Sequence, residues 1–127
     1  MAIERIFPGG LSRPTAYTPV VKAGNTVYIA GQTATDASEN LVGPGDCEAQ
    51  TAQVFRNLQA ALASVGGSLA NLVKVTTYLT RSQDIEAYRR VRERFLRANR
   101  PASTLVVVQA LARPEMLVEI EAVAVLE

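Results

Sequence analysis

The spacing of hydrophobic residues switches between the helical and the strand period along this chain, and the resulting order of elements constrains the fold most. Residues 46–65 and 84–99 repeat apolar side chains at helical spacing, whereas residues 73–80 and 117–126 alternate as strands do. Residues 26–33 are rich in strand-forming side chains and follow a Gly-Asn turn signal. The predicted order is therefore strands, helix, strand, helix and two strands.

The two C-terminal strands differ in their patterns. Residues 104–111 are almost continuously apolar, which predicts a central strand covered on both faces. Residues 117–126 alternate, and Glu119 and Glu121 fall on one side of that strand. One sheet with both helices on a single face, an α+β layer, is the economical arrangement. Its other face would expose apolar side chains, so we expect self-association.

Length and composition indicate one globular domain over residues 1–127. We find no repeat, low-complexity segment or linker, and 48% of the residues are hydrophobic while 20% are charged. The net charge of +1 favours neither a nucleic-acid nor a membrane partner. No apolar run has the length of a transmembrane segment, and the first ten residues do not resemble a signal peptide. The single cysteine, Cys47, fits a reducing, cytoplasmic location.

The chain contains no histidine, which limits its chemistry. Ser-His and Cys-His dyads and histidine-containing zinc sites are excluded. Any catalysis must use carboxylates, hydroxyls, backbone groups, lysine or arginine, and we expect neither a metal nor a cofactor. Cys47 lies in the first turn of a predicted helix, where the pKa of a thiol is often lowered, but it has no histidine partner.

Several segments carry recognisable motifs. They are Tyr17 with Pro19-Val20, Val27-Tyr28-Ile29-Ala30-Gly31-Gln32, Glu48-Ala49-Gln50-Thr51, Val54-Phe55-Arg56-Asn57-Leu58, Leu72-Val73-Lys74-Val75-Thr76-Thr77-Tyr78-Leu79-Thr80, Pro101-Ala102-Ser103-Thr104 and Val118-Glu119-Ile120-Glu121-Ala122-Val123-Ala124-Val125. In this order, and over nearly the whole chain, they resemble the RidA (YjgF) family, which is also labelled endoribonuclease L-PSP.

The resemblance implies a chorismate-mutase-like fold that assembles as a homotrimer with three clefts between subunits. Well-known members of the family hydrolyse reactive enamines and imines, such as 2-aminoacrylate, and release ammonia and a 2-keto acid. In those members an arginine after a Pro-Ala pair binds the substrate carboxylate, and a glutamate orients or activates the attacking water. A small-molecule substrate is therefore the expected partner.

The family's site residues carry over to this sequence in part. Glu119 matches the glutamate and is the candidate catalytic residue. The candidate substrate-binding residues are Tyr17, Ala30, Gly31, Arg89, Ser103, Thr104 and Leu105. Ala30 replaces the usual serine, Leu105 occupies a position whose backbone contacts the ligand, and Ser103 stands where the arginine belongs. Each charged hydrogen bond to a carboxylate contributes about 1.5–3 kcal/mol, which the neutral hydroxyl of Ser103 cannot supply.

An arginine-rich stretch between residues 89 and 100 offers substitutes for the missing cation. One interpretation is a solvated helix face with ion pairs from Glu86 to Arg90 and from Glu93 to Arg97. The helical wheel also places Arg89 beside the apolar arc.

Arg89 aligns, by the resemblance, with a polar position that faces the cleft. We therefore hypothesise that Arg89 supplies the cation, with Arg92 and Arg100 as alternatives.

Two roles remain open for Glu119, water activation or a structural ion pair. Glu121 lies on the same face and is interpreted as structural, paired with Lys74 of a neighbouring strand. Three functions follow. The leading one is a RidA-like deaminase of enamines, imines or a related small carboxylate-bearing metabolite. The second is a non-catalytic ligand-binding or regulatory trimer, which Ser103 favours. The third is an endoribonuclease, for which only the arginine-rich helix speaks.

Overall fold

The first helix, α1, begins where the sequence predicts. In the computed structural model, which describes residues 2–127, α1 spans Cys47–Ala63, and the Asp46 carboxylate accepts a hydrogen bond from the Ala49 N–H at 3.0 Å. Beyond the helix the chain turns at Gly66, whose φ of +77° is left-handed. The predicted apolar stripe is buried and consists of Val54, Phe55, Leu58, Ala61 and Leu62.

The second helix, α2, spans Ile85–Leu96 and is shorter at both ends than predicted. A buried hydrogen bond of 2.8 Å joins the Tyr88 hydroxyl to the Thr77 hydroxyl of the sheet. The Phe95 ring stacks on Phe55 of α1 with 5.0 Å between centroids. The hydrogen bond holds α2 against the sheet, and the stacked rings hold the two helices together. No helix within residues 2–127 has the length and apolar character needed to cross a membrane.

Within residues 2–127, six strands form one mixed sheet in the order β1-β2-β3-β6-β4-β5. Their bounds are Ile3–Ile6 for β1, Val20–Ala23 for β2, Thr26–Gln32 for β3, Leu72–Leu79 for β4, Ala102–Val107 for β5 and Val118–Val125 for β6. The sequence pattern did not single out β1 and β2. Neighbouring strands are antiparallel except β4 and β5, which run parallel.

Alternate residues divide the sheet into two faces. Val75, Thr77 and Leu79 of β4 are buried beneath the helices, as is Ile120 of β6. Both helices therefore cover the same face, and the predicted α+β layer with a single sheet is confirmed. We call the uncovered side the open face; it carries Tyr28, Thr76, Tyr78, Glu121, Val123 and Val125.

The prediction for the apolar run at residues 104–111 is wrong. β5 is an edge strand rather than a central one, and it ends at Val107. Val106 and Val107 remain 38% and 46% exposed. A continuous apolar run reports which side chains avoid water, but it cannot show which polypeptide covers them. Within the single chain, β4 pairs with one side of β5, and its other side is free.

The open face is apolar with a few polar pairs. Tyr28 and Val125 are 52% and 42% exposed. The predicted ion pair between Glu121 and Lys74 is wrong, because Glu121 accepts a hydrogen bond of 2.7 Å from the Tyr78 hydroxyl. Lys74 Nζ instead donates to the Thr104 hydroxyl at 2.6 Å. Glu121 thus makes a structural contact, as expected, but its partner is a tyrosine instead of a lysine.

Candidate functional site

Glu119 lies on the open side of β6, directly opposite Tyr78 of β4 in the register. Its side chain is half-buried, and burial raises the pKa of its carboxyl above the ordinary value, with a further increase from the nearby charge of Glu121. Among the residues that the structure describes, none donates a hydrogen bond to this carboxylate. A partly desolvated carboxylate without a donor is well suited to accept a proton.

Gly31 makes room for Glu119. The pairing of β3 with β6 is irregular between Ile29 and Gln32, and Gly31 sits within this irregularity. A Cβ atom at this position would overlap the carboxylate of Glu119. Only glycine allows so close an approach, so the backbone of β3 forms one wall around the carboxylate.

The two residues open into a cavity of about 410 Å³, which we call the Glu119 cavity. Tyr17, which is 57% exposed, stands at its wall, as the sequence comparison with the family implied. The cavity has the size of a small-metabolite site. Its other lining residues include Ser12, Thr33, Thr35, Glu39, Arg113 and Met116.

Arg113 is a cation of this cavity that the sequence reasoning missed. It lies in the loop between β5 and β6 and lines the same cavity as Tyr17, Gly31 and Glu119. One signal was available, because Arg113 is the only cation in residues 108–117, the segment that leads directly into the strand of Glu119. The resemblance to the family directed attention to Ser103 instead.

Ser103 lies in a different part of the structure, away from the Glu119 cavity. It is exposed on β5, pairs in register with Val75, and points to the helix side. There it lines a second cavity, of about 250 Å³, together with Arg92 of α2 and Arg100, which follows α2. We call this the edge pocket. Leu105 shares the helix side of β5, while Thr104 faces the open side. The single chain thus does not bring these three β5 residues to Glu119.

Ala30 lies next to the Glu119 cavity without lining it. Its N–H donates to the Pro19 carbonyl at 2.9 Å, which ties β3 to the segment after Tyr17. Ala30 lines a groove of the open face with Tyr28, among others. Its place beside Gly31 is as predicted, but a ligand contact from Ala30 remains a prediction.

Arg89 lies on the exposed side of α2 and lines neither of the two cavities. Its side chain is 53% exposed, and its Nη1 donates to Glu86 at 2.7 Å. A contact of Arg89 with the site of another copy remains a prediction.

The ion pairs predicted for this helix are wrong in their partners. Arg90 binds Glu48 of α1 at 2.6 Å, and Arg100, rather than Arg97, binds Glu93. Arginines on an exposed helix reach carboxylates one turn away or on another element equally well, because their long side chains are flexible. The helix therefore presents arginines whose charges are partly compensated.

Cys47 is buried at the start of α1, where its thiol lies 3.7 Å from the Thr51 hydroxyl. Burial raises the pKa of this thiol, so the lowered pKa expected from its helical position is wrong. No three acidic, cysteine or histidine side chains within residues 2–127 cluster as metal ligands would.

Comparison with known proteins places this geometry in context. The family described as endoribonuclease L-PSP matches residues 11–126. A 3-aminoacrylate deaminase, RutC, from Acinetobacter baylyi is 35% identical over 98% of this chain and 98% of that protein. A 2-iminobutanoate/2-iminopropanoate deaminase from Dermatophagoides farinae is 31% identical over 87% of this chain and 86% of that protein.

A solved structure shows the same fold. RidA from an Antarctic Psychrobacter species is 34% identical, with a TM-score of 0.86 over 96% of this chain and 98% of that one. The family match, the two relatives and the shared fold agree with one another. The chain belongs to the endoribonuclease L-PSP family, which is also called the RidA or YjgF family.

Proposed function

We propose that this protein hydrolyses small enamines or imines that carry a carboxylate, releasing ammonia and a keto acid. The observation that carries the proposal is the half-buried Glu119 carboxylate, whose pKa is raised and which opens into a cavity of about 410 Å³. Two relatives at 35% and 31% identity are named deaminases of 3-aminoacrylate and of 2-iminobutanoate or 2-iminopropanoate. Their names support the same chemistry for this chain.

In this proposal, Glu119 moves the protons of the reaction. Its carboxylate takes a proton from a water molecule as the water oxygen bonds to the carbon of the C=N group. The substrate reacts as its protonated imine, so the electron pair of the C=N bond moves to nitrogen and a neutral carbinolamine forms. The carboxyl then gives its proton to the amino nitrogen. The C–N bond breaks and ammonia leaves, while the C=O group forms and the hydroxyl proton returns to the Glu119 carboxylate, which releases it to solvent. A carboxyl with a raised pKa suits both steps, because it accepts and returns a proton near neutral pH more readily.

Assembly completes the proposal. We place three copies in a ring, as the family resemblance implies, so that β5 of one copy meets the Glu119 cavity of the next. The apolar open face, with Tyr28 and Val125 half-exposed, and the free side of β5 support this arrangement. The β5 segment that contains Ser103, Thr104 and Leu105 would then reach the ligand from the adjoining copy, with Leu105 contributing its backbone.

Light scattering tests the assembly directly. The chain mass is 13.6 kDa, and a trimer is expected to give three times this value. Replacing Val106, which lies on the open side of β5, with aspartate should favour the monomer while leaving the helical circular dichroism intact. A parent protein that is monomeric at assay concentration would contradict the proposed ring.

Imine hydrolysis tests the activity. An amino-acid oxidase can generate 2-iminopropanoate or 2-iminobutanoate in the assay, with semicarbazide present to trap the imine that survives. We expect the protein to speed ammonia release and to reduce semicarbazone formation in proportion to its concentration. Glu119→Gln, purified in the same way, excludes a contaminating activity. If no imine or enamine in the series, including 3-aminoacrylate, reacts faster with the parent than without protein, the proposal fails.

A non-catalytic binding protein is the second candidate, and Ser103 is the observation that favours it. A site that lacks the family's carboxylate-binding arginine could retain the cavity without turnover. Saturable binding of a keto acid in the absence of imine hydrolysis would identify this alternative. Arg89 and Arg90 of α2 pair with carboxylates, which reduces the positive charge that this helix offers to a phosphate backbone, so α2 supports the endoribonuclease alternative only weakly.

A further inference from the structure

We propose that Arg113 binds the substrate carboxylate in the Glu119 cavity and replaces the arginine that the family carries at position 103. This inference rests on the proposed function for the identity of its ligand. It starts from the observation that Arg113 and Glu119 line one cavity of a single chain, whereas Ser103 lines the edge pocket. In the proposed ring, the cation would therefore come from a loop of the same copy instead of from β5 of the neighbouring copy.

The loop that carries Arg113 is held in place by a fully buried amide. Gln50 of α1 is 0% exposed, and its Nε2 donates to the carbonyls of Glu115 and Gly43, each at 3.1 Å. Its Oε1 accepts the N–H of Leu117 at 2.9 Å. A buried amide with its hydrogen bonds satisfied is costly to disturb. The backbone on the C-terminal side of Arg113 is thus fixed before any ligand arrives.

The guanidinium of Arg113 is itself oriented by two contacts. Its Nε donates to the Glu115 carboxylate at 2.8 Å, and its Nη1 donates to the Glu39 carbonyl at 3.2 Å. A guanidinium carries five N–H groups, so about three remain for a ligand. The side chain stays 42% exposed, which leaves these donors accessible. An oriented guanidinium with free donors is the group that best binds a planar carboxylate.

The charged residues that line the Glu119 cavity are Arg113, Glu39 and Glu119. Arg113 forms its ion pair with Glu115 and not with Glu119, and it contacts Glu39 through that residue's backbone carbonyl. The cavity therefore offers one cation and, separate from its ion pair, the proton-accepting carboxylate of Glu119. An imino acid has its carboxylate adjacent to the C=N carbon, so these two groups would bind opposite ends of one small molecule. Neutral imines would use only the Glu119 end.

A rival position exists in the edge pocket. Arg92 and Arg100 lie there with Ser103, and in an assembled ring they could reach the ligand from another copy. Arg100 binds Glu93 just as Arg113 binds Glu115, so ion pairing does not separate these two candidates, and Arg92 lies over the Tyr88 ring at 5.7 Å. Neither shares a cavity with Glu119 in the chain. Arg113 is therefore the cation that the geometry favours.

Binding of a product analogue tests the inference without requiring turnover. Pyruvate and its neutral methyl ester are titrated into the parent, Arg113→Gln, Arg113→Lys, Arg92→Gln and the control Arg90→Gln, with affinity measured by calorimetry or ligand NMR. We expect Arg113→Gln to lose about tenfold or more in affinity for pyruvate and little for the ester. Arg113→Lys should retain part of the preference for pyruvate, and Arg90→Gln should match the parent. Unchanged melting temperatures exclude misfolding.

The outcomes separate this inference from the proposed function. Equal affinity of the parent and Arg113→Gln for pyruvate, or a loss seen with Arg92→Gln alone, would overturn the role of Arg113. Imine hydrolysis whose KM is unchanged in Arg113→Gln overturns it as well, while the proposed function stands. Pyruvate binding that depends on Arg113, in a protein that hydrolyses no imine, leaves the inference intact and refutes the hydrolase.

Discussion

The Glu119 cavity and the β5 edge are built in different ways. Glu119 is half-buried between two neighbouring strands, and Gly31 fits closely against it. Ser103 and its neighbours are exposed on a strand with one free side. Burial raises the pKa of a carboxyl, and the residues that bury Glu119 here belong to its own chain. In the proposed function, the rest of the ligand would be bound by a loop, through Arg113, or by another copy, through β5.

The largest expected effect is on the proton transfer that the proposed function assigns to Glu119. Glu119→Gln keeps the shape of the side chain but cannot take a proton from water, so kcat for imine hydrolysis should fall about 100-fold or more. Glu121→Gln is the matched control on the same strand, because Glu121 is engaged by Tyr78 outside the cavity. It should retain most of kcat and shift the pH profile downward, since Glu121 raises the pKa of Glu119. Equal kcat in the parent and Glu119→Gln would remove Glu119 from the mechanism.

A second prediction moves the carboxylate instead of removing it. Gly31→Ala adds a methyl group where it overlaps Glu119, and the carboxylate must shift. Misplacement by about 1 Å can lower a rate about 100-fold, and we expect a loss of kcat of this order. Gly9→Ala is the control, because a Cβ there meets nothing within 4 Å. An unaffected kcat in Gly31→Ala would show that the fit between Gly31 and Glu119 is only a packing detail.

A third prediction tests whether the β5 edge and the Glu119 cavity meet between copies. Ser103→Arg restores the family's cation, and in the proposed ring it should lower KM for imino acids about tenfold. It should also rescue Arg113→Gln, because both arginines would bind the same carboxylate. Ser82→Arg, at an exposed serine of the turn before α2, is the control. No change of KM in either background would place β5 away from the cavity.

The sequence predicted most of the fold because the helical and strand periods reflect burial on one face. The amphipathic stripe of α1, the cap at Asp46 and the alternation of β6 follow local rules and are confirmed. The apolar run at residues 104–111 was misread, since β5 is apolar and yet lies at an edge. The apolar composition of β5 indicates that its side chains avoid water, but local rules cannot show whether this chain or another one covers them.

The candidate site was predicted less completely. Family motifs located Tyr17, Gly31 and Glu119, which the structure brings together in one cavity. They could not reveal Arg113, because loop side chains approach a site through tertiary contacts, such as those of the buried Gln50, that have no sequence period. The predictions of salt-bridge partners on α2 were wrong for a related reason, since exposed arginines have several carboxylates within reach.

The smallest expected effect concerns stability and isolates the cost of burying Glu119. Its pKa is raised in the folded chain above the ordinary value of 4.5. Below that value the carboxyl is protonated in both the folded and the unfolded state, so Glu119→Gln and the parent should melt alike. As the pH rises, the unfolded carboxyl ionises first, and the folded parent loses stability until the raised pKa is passed. Glu119→Gln has no carboxyl at this position and therefore does not lose this stability.

Melting temperatures of the parent and Glu119→Gln, measured between pH 3 and pH 8 (about the span over which carboxyls titrate), should therefore diverge as the pH rises and then stay apart. Glu86→Gln, which removes an exposed carboxylate that binds Arg89, is the surface control and should change the melting temperature little, because exposed ion pairs contribute little to stability. A constant difference between Glu119→Gln and the parent at every pH would mean that Glu119 is not desolvated. In that case the cavity would hold an ordinary surface carboxylate, and the contrast with the exposed β5 edge would disappear.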